Sequence, residues 1–87
     1  MARRLFMVVE TFPPENLDAI YARFHDKGRM LPEGLEFMDC WLTGTNDKVY
    51  QLMETDKVET FAEWTQHWDD LVDFEIVPLR DKPEIDP

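Results

Sequence analysis

Two stretches with helical spacing, each set between short strand-like runs, constrain what this chain can become more than any other feature. Leu17, Ile20, Tyr21, Phe24 and Gly28 recur at i, i+3, i+4 and i+7, the mark of one buried helical stripe, while Asp18, Ala22, Arg23 and Asp26 fall off it. This spacing predicts a helix over 14–28, announced by Pro13 and Pro14, because proline is well tolerated in a first helical turn. Phe61, Trp64, Thr65, Trp68 and Leu71 lie within one arc of a second helix. Asp56 is its expected cap, Glu59 completes a capping-box-like pair three residues on, and Asp73 marks the exit.

Strands fill the intervals. Residues 4–10 form a nearly continuous apolar run, the pattern of a strand buried on both faces. Residues 35–43 and 48–54 are separated by the turn residues Gly44, Thr45, Asn46 and Asp47 and read as an antiparallel hairpin. Residues 74–79 make a last strand, in which Pro78 removes a ladder donor and so points to an edge or an end. The order β-α-β-β-α-β is the ferredoxin-like plan: an α+β fold with a four-stranded antiparallel sheet and both helices on one face. Residues 1–80 would form this one domain, and 81–87 a flexible acidic tail.

The face left uncovered ought to be polar, and it is not. If the hairpin closes by pairing 43 with 48, one face carries Phe37, Asp39, Trp41, Tyr50, Leu52 and Glu54. The other carries Met38, Cys40, Leu42, Val49, Gln51 and Met53, a set suited to packing under helices. The first set would leave a large apolar patch wet, which is unusual for a soluble monomer. A second copy packing the same face against it would bury the patch through a twofold contact. The expectation is therefore a homodimer whose two sheets close into a barrel. An 87-residue domain buries a modest share of its surface on folding, and association is one way to use a 13% aromatic content.

Charge narrows the partners. The net charge is −10, with twelve acidic and four basic side chains in 47–87 against seven and five in 1–46. Such a surface repels phosphate backbones and anionic lipid, so neither nucleic acid nor a membrane is an expected partner. Solubility alone is the plainer account of the acidity. The basic-then-apolar start, Met1 to Leu5, lacks a following small-residue cleavage pattern and reads as a strand, so a cytoplasmic location is expected. Cys40 is the lone cysteine and has no Lys, Arg or His nearby in sequence, which favours a small core residue over a reactive thiol.

Residues 5–10, 28–35, 50–56 and 71–78, together with Trp64 and Trp68, resemble a family of small, mostly bacterial proteins catalogued only as a domain of unknown function (number 3303). The resemblance runs from about 4 to 79. It implies the dimeric α/β-barrel superfamily, which also holds cofactor-free antibiotic-biosynthesis monooxygenases, muconolactone isomerases and stress-response barrels. It transfers no activity and no catalytic set, because relatives on one fold perform unrelated chemistry.

Candidate site residues each carry a plainer alternative. Asp39, mid-strand among apolar neighbours, would have a raised pKa if desolvated, as a general acid or base requires; a structural bond across an interface is the alternative. Gln51 could orient a carbonyl or satisfy a nearby backbone group. His67 and His25 sit at the margins of the helical stripes and could carry protons or merely pack. Trp41, Tyr50, Trp64 and Trp68 could wall a pocket for a flat molecule or form core. No cofactor motif is present and none is expected, and two histidines 42 positions apart show no metal-ligand spacing. The function these features favour is binding of a small apolar or aromatic ligand in the barrel. The alternatives are a cofactor-independent monooxygenase- or isomerase-type enzyme, using Asp39 and a histidine, and a purely structural or partner-binding dimer.

Overall fold

The elements follow the predicted order: β1 (Arg4–Thr11), α1 (Leu17–Lys27), β2 (Leu35–Leu42), β3 (Lys48–Thr55), α2 (Glu59–Thr65) and β4 (Asp73–Pro78). The computed structural model describes residues 3–80, so the expected tail, 81–87, lies outside the described residues. The strands form one antiparallel sheet in the order β2-β3-β1-β4, which is the ferredoxin-like arrangement. β4 is an edge strand, where the missing amide of Pro78 costs no interior ladder bond. Among the described residues, no helix is long and apolar enough to cross a membrane.

The hairpin closes as the turn residues predict, with the Thr43 amide donating to the Lys48 carbonyl at 2.9 Å. Cys40 then faces Gln51 and Leu42 faces Val49 on the helix side, while Trp41 opposite Tyr50 and Asp39 opposite Leu52 point to the open side. Phe37 departs from the predicted set. An irregularity between Phe37 and Asp39 places Phe37 opposite Met53, on the helix side. A bulge inserts one residue, here Met38, and so reverses the alternation on one side of it.

Both helices differ locally from expectation. Pro14–Asn16 forms a single 3₁₀ turn, so α1 proper begins at Leu17. Gly28 does not extend the stripe. It ends the helix with φ 67°, a conformation cheap only for glycine, and its amide donates to the Phe24 carbonyl at 2.7 Å. Asp56 does not cap α2. The Thr60 hydroxyl instead donates to the Lys57 carbonyl at 2.6 Å, and the Lys57 amide donates to Thr55 Oγ1 at 2.9 Å. α2 stops at Thr65, and a run of turns continues to Leu71, held by bonds such as Trp68 amide to Thr65 carbonyl at 2.9 Å. That tightening still delivers Trp68 to the core.

The core lies beneath α2, where Phe6, Val8, Leu35, Met53, Phe61, Trp64 and Trp68 form one buried cluster. α1 contributes no buried residue to it. Tyr21 and Phe24, on its predicted buried stripe, are 47% and 37% exposed. The bulky indoles lie beneath α2 and the turns after it, and a space remains between α1 and the sheet.

Candidate functional site

That space is a cavity of about 170 Å³. Trp64, Trp68 and Gln51, all nearly fully buried, form its deep wall. Ile20, Tyr21 and Phe24 of α1 line it from above, and Cys40, Leu42 and Val49 from the hairpin. Glu10 of β1 and Arg29 of the loop after α1 complete it. The exposed sides of Tyr21, Phe24 and Leu42 mark its mouth.

Glu10 reaches the cavity through strand parity. Phe6, Val8 and Glu10 share the helix face of β1, and Glu10 stands between Val49 on one side and Phe74 on the other. Burial pushes its carboxyl up from 4.5 to about 7, against the opposing pull of the Arg29 guanidinium. Its carboxyl makes no hydrogen bond or ion pair with any described residue.

Arg29 is positioned by its own backbone. The indole N–H groups of Trp64 and Trp68 both donate to the Arg29 carbonyl, at 3.0 and 3.1 Å. The next residue, Met30, has φ 59°, a conformation that costs a non-glycine residue about 1–2 kcal/mol. Two hydrogen bonds of about 1 kcal/mol each offset that cost. So anchored, the guanidinium stacks on Phe37 at 3.6 Å and on Phe24 at 5.0 Å from the ring centroids. One N–H points at Cys40 Sγ, 3.8 Å away. Cys40 is thus a half-buried wall of the cavity with a cation beside it, which its sequence neighbourhood did not foretell.

Gln51 is 5% exposed, and its amide nitrogen meets only the Met53 thioether, at 3.3 Å. Its amide oxygen accepts no hydrogen bond from the described residues, although the side chain lines the cavity.

Of the residues singled out from sequence, Gln51, Trp64 and Trp68 come together here. Trp41 and Tyr50 do not: they lie on the opposite face of the sheet, 51% and 38% exposed. Asp39 is on that face too. In the chain by itself it is exposed rather than desolvated, with its carboxylate accepting from the Cys40 amide at 2.8 Å. His25 is exposed on α1, packed edge-on to Phe24, and His67 is exposed in the turns after α2. The sheet therefore separates Asp39 from both histidines, and the structure does not assemble them into one site. Near His67, Arg23 grips Asp70 through two bonds of 2.7 Å and donates to the His67 carbonyl at 2.8 Å, tying α1 to the segment after α2. Among the described residues, no three of His, Cys, Asp and Glu converge as a metal ion requires.

A family model described as Domain of unknown function (DUF3303) matches residues 4–85. No curated protein matches the sequence. A crystal structure from Bacteroides thetaiotaomicron, provisionally described as an antibiotic biosynthesis monooxygenase, is similar with a TM-score of 0.57. The alignment covers 98% of this chain and 95% of that chain at 13% identity, a likeness of fold.

Proposed function

We propose that this chain, which belongs to the family described as Domain of unknown function (DUF3303), binds a small, mostly apolar molecule in the cavity beneath α1. One observation carries the reading. Glu10, Arg29 and Gln51 converge on an aromatic-walled space, and among the described residues none of their side chains bonds to a protein oxygen or nitrogen. A pocket with few convergent polar groups in apolar walls is the usual form of a ligand site. Titrating one-ring probes into ¹⁵N-labelled protein should shift the indole N–H signals of Trp64 and Trp68 and the side-chain amide of Gln51. Shifts confined to exposed residues such as Trp41 would refute the placement.

The same cavity favours a second reading, proton transfer without a cofactor. A carboxyl held near 7 is suited to act as a general base at neutral pH, and Glu10 takes that role instead of Asp39. Exchange of carbon-bound protons of a bound probe for deuterium separates an enzyme from a binder.

The twofold pairing is a proposal of its own. The open face carries Leu5, Met7, Val9, Trp41, Tyr50, Leu52 and Val77. Four strands of about eight residues span roughly 500 Å² per copy in footprint, and two rough faces of that size approach the ~1,200–2,000 Å² of a stable interface. Light scattering at micromolar concentration should give twice the chain mass, and Trp41→Glu, which places a charge in the patch, should return it to the monomer mass. A wild-type monomer would dismiss the pairing.

A further inference from the structure

We propose that the cavity takes the carboxylate of a one-ring organic acid, gripped by Arg29 and Gln51, with Glu10 entering the complex in its protonated form. The proposal rests on the reading that this cavity binds a small molecule, and it names the class.

Size sets the first limit. A cavity of about 150 Å³ suffices for benzene, whereas drug-sized ligands occupy ~300 Å³ or more. At about 170 Å³, this one admits a single ring with one small substituent. The walls contributed by Tyr21, Phe24, Trp64 and Trp68 suit the flat faces of such a ring.

Charge sets the second. Among the described residues, Arg29 is the sole cation lining the cavity. Arg3 and Arg23 are paired with Glu36 and Asp70, whereas Arg29 has no carboxylate of the described residues within ion-pair distance. Stacking on Phe24 and Phe37 fixes the plane of its guanidinium and leaves the N–H groups not directed at Cys40 for an acceptor. A planar fork of donors matches a carboxylate in two-point contact. The Gln51 amide nitrogen, spent only on a thioether, supplies a further donor. An amine ligand would place a second positive charge beside Arg29, and an alcohol would leave the guanidinium charge unanswered.

Glu10 decides the pH response. The other titratable groups facing the cavity are Arg29 from the loop after α1, Tyr21 from α1 and Cys40 from β2. β3 contributes Val49 and Gln51, the α2 region contributes Trp64 and Trp68, and β4 sets Phe74 beside Glu10; none of these carries a charge. An ionised Glu10 would repel the incoming carboxylate, and a protonated Glu10 can donate to it. Binding then takes up close to one proton from solvent at pH 8 and almost none at pH 6. With Glu10 titrating at about 7, the apparent affinity should be about tenfold weaker at pH 8 than at pH 6, because only about a tenth of the free protein is competent at pH 8.

The probes are benzoate, benzyl alcohol and benzylamine, titrated at pH 6 and pH 8 while the Trp64 and Trp68 indole signals are followed. Benzoate should bind most tightly and lose about tenfold by pH 8. Glu10→Gln, which keeps a donor and removes the titration, should hold benzoate equally at both pH values. Arg29→Gln should weaken benzoate at least about tenfold while leaving the thermal unfolding cooperative. Benzyl alcohol equal to benzoate, with Arg29→Gln silent, would overturn the acid class yet keep the cavity as a binding site. Benzylamine favoured, and gaining with pH, would do the same in favour of a cation. No shift at either indole with any of the three probes would overturn the binding reading itself.

Discussion

Trp64→Ala is expected to destabilise the protein by about 3–5 kcal/mol, the cost of emptying a large aromatic site in a packed core. Trp64 is 2% exposed and meets Phe74 edge to face at 5.3 Å between centroids. Its indole also holds the Arg29 carbonyl, so truncation would leave that carbonyl to Trp68 alone. A chain of this length commands only about 4–13 kcal/mol in total, so the variant should sit near the edge of folding. Urea denaturation followed by circular dichroism measures the loss. Trp64→Phe separates packing from anchoring. It keeps most of the ring volume, loses the N–H, and should cost about 1–2 kcal/mol while loosening Arg29. A cost below about 1 kcal/mol for Trp64→Ala would mean that the core does not centre on this residue.

Periodicity made the element order legible, because each helix and strand repeats its apolar residues at a period the backbone imposes. The same logic set the hairpin register from the four turn residues, and it put Asp39, Trp41 and Tyr50 on one face and Cys40 and Gln51 on the other. It failed where the period breaks. The bulge at Met38 moved Phe37 to the helix side, and no residue type there announces a bulge. Asp56 looked like a helix cap, but threonines 55 and 60 hold that turn instead. The lining of the candidate site was half visible. Gln51, Trp64 and Trp68 stood out by type, and the fold brings them to one cavity. Glu10 read as the polar end of a strand, although counting Phe6, Val8 and Glu10 by twos would have put its carboxyl on the buried face. Arg29 had no local signal at all. Its place depends on a left-handed step at Met30 and on two indoles that are 35 and 39 residues away.

Glu10→Gln is expected to make the protein more stable at pH 8 and to flatten a fall in stability that the wild type shows between about pH 4.5 and 7. The sign follows from proton counting. In the unfolded chain Glu10 ionises near 4.5, and in the folded protein burial holds it at about 7. Between those values the folded state keeps a proton that the unfolded state has lost, so raising the pH favours unfolding. Below 4.5 both states are protonated and nothing is lost; above about 7 both are ionised and the loss is complete. At 1.36 kcal/mol per pKa unit the full displacement amounts to about 3 kcal/mol, and water at the cavity mouth should reduce it to ~2. Asp70 acts in the other direction but elsewhere: its bonds to Arg23 hold its carboxyl below the usual range, so its contribution fades only in stronger acid. Comparing wild type and variant at pH 4.5, 6 and 8 by urea denaturation isolates Glu10, because every other group cancels. If the two curves run parallel across that range, Glu10 is solvated in the folded protein. The cavity would then lack the buried acid on which both ligand selectivity and proton transfer depend.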